Sequence, residues 1–193
     1  MVQPVTAKEG NQLIALARQK IMAELGLENE LEKTRLNITS DVCMKNRGVF
    51  VTLYKKGGEL KGCVGNIEPV KPLIKGVLDN ASNAAFKDSR FSPLTIEALK
   101  DIFIEVSILT VPEKLNYKDS NDLISKLRPV IDGVIIEKRH QNATFLPQVW
   151  QQLTSPETFL SHLCMKAGFS SDEWENGDLT ISRYQVQLFE ENK

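Results

Sequence analysis

The chain is poor in the residues that most often carry chemistry. Its 193 residues include three cysteines, two histidines and two tryptophans. Cys43, Cys63 and Cys164 are too far apart for a C-x-x-C pair, which excludes zinc ribbons and thioredoxin-type redox motifs. An odd cysteine count in a chain expected in the cytosol implies free thiols. His140 and His162 cannot make a three-histidine metal site, and no spacing supports a mixed one. No cofactor is expected. Aromatic residues make up 7% of the chain, without the aromatic-basic strand of an RNA-recognition motif. Neither a G-x-G-x-x-G nor a G-x-x-x-x-G-K-S/T pattern occurs. Long apolar runs are missing too. The longest is Leu13 to Ala17, whereas a membrane-spanning helix needs about 20 residues. The first ten residues, MVQPVTAKEG, hold no apolar signal-peptide core, so a cytoplasmic protein is expected.

What is present is an ordinary globular composition, 41% hydrophobic and 25% charged. That argues against disorder and low-complexity scaffolds. The length fits one domain, or two small lobes in one chain. Net charge is −1, far less basic than a dedicated duplex-DNA binder. The balance is uneven, however. Residues 44–90 hold nine basic groups against four acidic ones. Such a segment is either solvated surface or an anion-attracting face. In the second case Lys61 and Arg90 would form most of the patch, with Arg47 a further candidate.

Local patterning predicts the elements. Thr6 and Glu9 fit a capping box, and Leu13, Leu16, Ala17, Ile21 and Leu25 follow at helical spacing until Gly26. A charged stretch through Arg35 reads as a surface loop. Residues Gly48 to Asn66 read as a β-hairpin turning at Gly57-Gly58. Pro69 and Pro72 open a helix towards Lys87, with Leu73, Val77, Ala81, Ala84 and Ala85 inside. Thr95 caps a short helix through Lys100, and residues 102–110 read as a strand. Ser120 caps a helix to Leu127. Gly133–Glu137 and Ala143–Leu146 read as paired strands joined at His140-Gln141-Asn142. Pro147 starts a helix, and Ser155-Pro156-Glu157 starts another that ends at Gly168. Leu179 to Phe189 reads as a last strand. Without a regular βαβ rhythm, this is an α+β fold with a mainly antiparallel sheet and packed helices.

Three segments invite a functional reading. In LKGCVG, Leu60 to Gly65, glycines flank a cysteine, which lets a backbone or a ligand approach the thiol. If the segment stays extended, Lys61 shares a face with Cys63, and its ammonium would favour the thiolate. The bland alternative is a small packed cysteine beside a bulge. In AFKDSRFSPL, Ala85 to Leu94, Asp88 and Arg90 sit where a helix ends. They form either a local salt bridge of little worth or a charged pair aimed into a cleft. In IFIEVSIL, Glu105 and Ser107 share one face of a strand, which is either solvent-facing or lines a pocket. Exposed His140 and helical His162 are weak candidates for a base serving Cys63. Trp150 and Trp174 read as packing residues.

LKGCVG resembles the R-G-C-I-G signature of the AMMECR-one domain family. AFKDSRFSPL, IEVSIL, ATFLPQVW (Ala143 to Trp150), KAGF (Lys166 to Phe169) and Arg183-Tyr184 match the same family's pattern, so the resemblance spans about residues 45 to 185. Lys61 replaces the usual arginine and Val64 the usual isoleucine. Lysine keeps the charge but lacks the planar fork of guanidinium. The resemblance implies a single domain over residues 1–193, built from two intertwined, unequal lobes around a cleft that the signature faces. It also implies companions, a Memo-type protein and a radical-SAM enzyme, in a small modification system.

The leading expectation is a ligand- or substrate-binding component of such a system. Its binding residues would be Lys61, Gly62, Cys63, Val64, Gly65, Asp88, Arg90, Glu105 and Ser107, and an anionic small ligand would suit the basic segment. One alternative is a non-catalytic adaptor that docks on protein partners or RNA. Another is a cysteine-dependent transferase or hydrolase with Cys63 as nucleophile. A thiol beside a basic group favours the enzyme; a large exposed apolar patch favours the adaptor.

Overall fold

A computed structural model describes residues 4–27 and 40–191. The charged stretch anticipated through Arg35 lies outside the described residues. The chain divides into two compact units, residues 1–111 with 187–193, and residues 112–186. The second is thus inserted in the sequence of the first.

In the first unit, α1 (Ala7–Glu24) starts at the Thr6–Glu9 capping box. The short α2 (Asp41–Met44) follows. β1 (Val49–Lys55) and β2 (Leu60–Asn66) form the anticipated hairpin. Its turn glycines, Gly57 and Gly58, have φ of 100° and 90°, a region that side-chain-bearing residues avoid. α3 (Leu73–Phe86) and α4 (Ile96–Leu99) lead to β3 (Ile102–Leu109), and β8 (Val186–Glu190) completes a four-stranded sheet of order β2-β1-β3-β8. β1 pairs antiparallel with both β2 and β3. The apolar face of this sheet, with Val49, Val51, Leu53, Ile104, Val106 and Ile108, shares a core with the inner faces of α1 and α3.

Small residues bring α3 very close to the sheet. A Cβ on Gly76 would lie 2.7 Å from the Val49 side chain, and one on Gly62 would lie 2.1 Å from the Ala84 carbonyl oxygen. Buried Asn80 fixes the register of this contact by donating to the Val49 carbonyl at 2.9 Å.

The second unit carries β4 (Glu113–Lys114), α5 (Ser120–Lys126), β5 (Gly133–Lys138), β6 (Gln141–Phe145), α6 (Pro156–Lys166) and β7 (Thr180–Tyr184). Its sheet runs β4-β7-β5-β6, with antiparallel partners throughout. Its core holds both tryptophans. Trp150 stacks on Phe159 at 3.8 Å and donates its indole N–H to the Asp132 carbonyl at 2.7 Å. The Asp132 carboxylate is fully buried and accepts from the Arg128 guanidinium at 2.6 Å.

The α+β class is as expected, and several boundaries differ. The anticipated last strand is two strands, broken at Gln185 and paired into different sheets. Asp119, not Ser120, caps α5, because its carboxylate reaches the Asp122 N–H. The β5–β6 turn is centred on Arg139 and His140, so Gln141 and Asn142 belong to β6. The segment after Pro147 is a 3-10 helix. No helix among the described residues is long and apolar enough to cross a membrane.

The Gly62 contact is directly testable. Gly62→Ala forces a methyl group against helix backbone, which cannot swing aside as a side-chain end can. Overpacking of this kind costs about 1–3 kcal/mol, and the upper end is expected here. Urea unfolding that shows a loss below 0.5 kcal/mol, on the order of a neutral surface change, would contradict the packing described.

Candidate functional site

The site is built on β2, an edge strand of the first sheet. Cys63 lies opposite Thr52 on β1. Its N–H donates to Asp88 Oδ2 at 2.9 Å, and its carbonyl accepts from Arg90 Nη2 at 3.1 Å. Both backbone groups therefore point away from β1. In an antiparallel ladder that marks a non-hydrogen-bonded pair, whose side chains stand closest together. Accordingly, the Thr52 hydroxyl donates to Cys63 Sγ at 3.4 Å.

Asp88 and Arg90 are tied together as well. Arg90 Nε reaches Asp88 Oδ1 at 2.9 Å, and Nη2 reaches Oδ2 at 2.7 Å. The Asp88 side chain is 6% exposed and that of Arg90 57%. The guanidinium, first, and then the Cys63 N–H hold the Asp88 carboxyl well below the usual carboxylate range. LKGCVG and AFKDSRFSPL, read separately in the sequence, thus form one joint. The end of α3 and the loop after it dock on the strand edge.

The glycines of the signature have local causes. The room at Gly62 is filled by the Ala84 carbonyl, and at Gly65 by the Phe50 ring, whose Cγ would lie 2.2 Å from an added Cβ. The close approach anticipated for a ligand is made by the protein's own parts. Val64 faces inward against the core.

Lys61 differs from its expected placement. The β1–β2 register skips it, since Leu53 faces Gly62 and Tyr54 faces Leu60. Lys61 is therefore the extra residue of a bulge, which breaks the alternation needed to align it with Cys63. Its ammonium donates to the Ser92 carbonyl. Arg47, the further candidate for a basic patch, is 4% exposed, and burial pulls its pKa down.

Glu105 and Ser107 share a face as expected, but that face is not open to solvent at these positions. Their exposures are 9% and 1%, and the Ser107 hydroxyl donates to Glu105 Oε1 at 3.3 Å. The register sets Glu105 opposite Thr52, so Cys63, Thr52 and Glu105 make one polar row across three strands. Two interstrand spacings put the ends of that row about 10 Å apart. The neighbouring row contains Tyr54 and Phe103.

Beside these rows lies a hollow of about 480 Å³, lined by Tyr54, Phe103, Glu105, the Gly57-Gly58 turn and the end of β8. Burial raises the Tyr54 pKa, and the charges of Glu105, Cys63 and Glu190 raise it further. Thr52, Tyr54 and Glu190 were not singled out from the sequence. The alternation in β1 puts Thr52 and Tyr54 on one face, but nothing local pairs that face with Glu105, or brings Glu190 to it from the far end of the chain. Among the described residues, no group of three His, Cys, Asp or Glu side chains could hold a metal ion.

Comparison with known proteins gives this geometry a family. The AMMECR1 family model matches residues 14–189. The chain belongs to the AMMECR1 family. An archaeal relative from Methanothermobacter thermautotrophicus is 40% identical over 190 residues, covering 98% of this chain and 97% of its own. One from Methanocaldococcus jannaschii is 38% identical over 191 residues, covering 97% and 92%. The crystal structure of an uncharacterized protein from Pyrococcus horikoshii matches with a TM-score of 0.83 at 30% identity, covering 97% of this chain and 94% of that one. In this AMMECR1 chain the glycine-cysteine signature is the edge strand that Asp88 and Arg90 grip.

Two outcomes follow. The Asp88 pKa is depressed in the fold, so its stabilisation is full above the unfolded value of about 3.9 and fades as pH falls through the folded one. Asp88→Asn should cost about 2 kcal/mol at neutral pH, the scale of a charged hydrogen bond. In denaturant titrations across pH, that gap should stay constant above pH ~5 and close progressively below pH ~4. A gap independent of pH would remove the ionised carboxylate from the account. Second, Cys63 is partly exposed, whereas Cys43 and Cys164 are fully buried. Burial raises the pKa of both buried thiols, that of Cys164 to about 11. Alkylation of the native protein should therefore modify Cys63 first, with the other two reacting only on unfolding; mass mapping of the labelled peptides checks this.

Proposed function

We propose that this AMMECR1-family protein is a binding component, and that its recognition surface is the polar face of the first sheet, from the Cys63–Thr52–Glu105 row to the adjoining hollow. The observation that carries this reading is the hollow itself, with a largely buried carboxylate, Glu105, in its wall. Concave sites with an apolar lining and a few convergent polar groups are where small ligands bind. Strands hold such groups in place more closely than loops do. The signature and the Asp88–Arg90 pair then act as positioning residues that fix β2 and, through Thr52, the row beside it.

On this reading the protein would supply the binding step of the modification system that the family resemblance implies, with Memo-type and radical-SAM proteins as companions. A nucleophilic role for Cys63 has less behind it. Lys61 is turned to a carbonyl, and the charge of Arg90 is matched by Asp88.

A screen of neutral, anionic and cationic fragments at millimolar concentration, read by backbone amide shifts, tests the proposal. Hits should map to Tyr54, Phe103 and Glu105 and weaken in Thr52→Val and Glu105→Gln proteins that keep wild-type melting behaviour. No hits, or hits confined to residues 112–186, would refute it.

A further inference from the structure

The outer edge of β2 is closed at one position and open at the next. Facing residues of an antiparallel ladder alternate between hydrogen-bonded and non-hydrogen-bonded pairs. Cys63 belongs to a non-hydrogen-bonded pair, and so does Gly65, which faces Phe50. The Gly65 N–H and C=O therefore also point away from β1. At Cys63 the side chains of Asp88 and Arg90 take these groups. At Gly65 no group of the described residues does. Edge strands are normally blunted by charge, by bulges or by cover, as β2 is at Lys61 and Cys63, so the open step stands out. Its surroundings have a definite character. Gly65 carries no side chain, and the half-buried Phe50 ring lies over it. Arg90 spends Nε and Nη2 on Asp88 and the Cys63 carbonyl, and its Nη1 has no partner among the described residues. The Asp88–Arg90 pair is neutral as a whole, but its exposed end is the guanidinium. Lys61, which donates to the Ser92 carbonyl in the same loop, adds a further positive charge.

We propose that this open step receives the C-terminal end of an extended peptide, added antiparallel to β2. The last N–H of the peptide donates to the Gly65 carbonyl, and its terminal carboxylate accepts from the Gly65 N–H. The antiparallel direction carries the chain end towards Cys63, so the carboxylate comes beside Arg90, where a charge-assisted hydrogen bond is strong. The parallel direction would bring a chain start there instead, setting an ammonium against the guanidinium. Paired residues share a face of the sheet, so the last side chain of the peptide lies on the Phe50 side, and an apolar one fits. Strand addition of this kind draws its affinity from main-chain hydrogen bonds and its selectivity from side-chain contacts. The anionic end group agrees with the basic character of residues 44–90. This site is separate from the hollow and does not rest on the reading proposed above.

The test titrates acetyl-Thr-Val-Leu with a free carboxylate into the isotope-labelled full chain and follows amide shifts. Saturable shifts are expected at Gly65, Phe50 and Arg90, with the Gly65 N–H moving downfield as it gains an acceptor. The same peptide ending in an amide should bind about tenfold more weakly, the share of a charged hydrogen bond. A peptide N-methylated at its last residue cannot donate to the Gly65 carbonyl and should lose roughly fivefold. In Arg90→Gln protein the preference for carboxylate over amide should vanish while the amide peptide binds as before; a merely structural role for Arg90 would weaken both alike. Should that variant fail to fold, the N-methylated peptide still decides. Sodium acetate or acetyl-leucine binding as tightly as the tripeptide would reassign the site to free acids and overturn strand addition. Indifference to N-methylation, or silence from the peptide, would overturn it too. Shifts confined to Tyr54, Phe103 and Glu105 would overturn it while leaving the hollow a binding site.

Discussion

Cys63 sits on an edge strand, where a backbone N–H and C=O would otherwise face solvent or an intruding strand. Asp88 takes the N–H and Arg90 serves the C=O, so two charged side chains do the work of a neighbouring strand. Hydrogen bonds to charged groups are worth about 1.5–3 kcal/mol each, and the two partners also neutralise each other. Much of the first unit is positioned by this contact. It fixes the outer edge of β2, and hence the register with β1 that sets Thr52 beside the sulfur. It holds the end of α3 against the sheet, which the Gly62–Ala84 approach requires. Where β2 leaves the joint towards the turn, the bulge at Lys61 brings Leu60 opposite Tyr54.

The glycines obey the same geometry. Gly62 yields to helix backbone and Gly65 to the ring of its cross-strand partner Phe50. The second unit repeats the latter device: a Cβ on Gly133 would lie 2.4 Å from the ring of Tyr184, again its register partner. An aromatic ring covering a cross-strand glycine recovers packing that the glycine lacks. The signature therefore reads first as a set of contacts that make a thin, tightly packed layer of strand and helix. On the reading proposed above, its bearing on function would be indirect, through the polar face that this layer carries on its other side.

How much of this was legible depends on sequence distance. The capping box of α1, the Gly57-Gly58 hairpin, the start of α6 and the inner face of α3 are local patterns, and the structure contains them as read. Residues Leu179 to Phe189 alternate without a strong break signal, so they read as one strand. Their division at Gln185 between two sheets is decided by partners more than 40 residues away, Gly133–Glu137 for β7 and β3 for β8. In the site, spacing put Glu105 and Ser107 on one face but could not show that face buried. The assumption of an unbroken strand failed at Lys61, because a bulge is a property of a strand pair and not of one strand. Asp88 and Arg90 were visible as a charged pair at a helix end. That they grip the backbone of Cys63 needs the fold.

The same arrangement divides rigidity from adaptability. The floor of the hollow consists of strand residues locked by cross-strand partners on either side, so Tyr54, Phe103 and Glu105 present a fixed pattern of ring faces and charge. Its rim is the hairpin turn, where the positive φ of Gly57 and Gly58 leaves no side chain to pack and nothing lies within 4 Å of an added Cβ at either. On the binding reading proposed above, selectivity would fall to the floor, where moving a group means breaking register, and accommodation to the turn, where small backbone changes cost little. On that reading a preorganised floor would also limit the entropy lost on association, which would let a small ligand be held by few contacts. Cys63 lies at the far side of this pattern, on the strand that the Asp88–Arg90 joint immobilises. There it completes the row that Thr52 and Glu105 continue across the sheet.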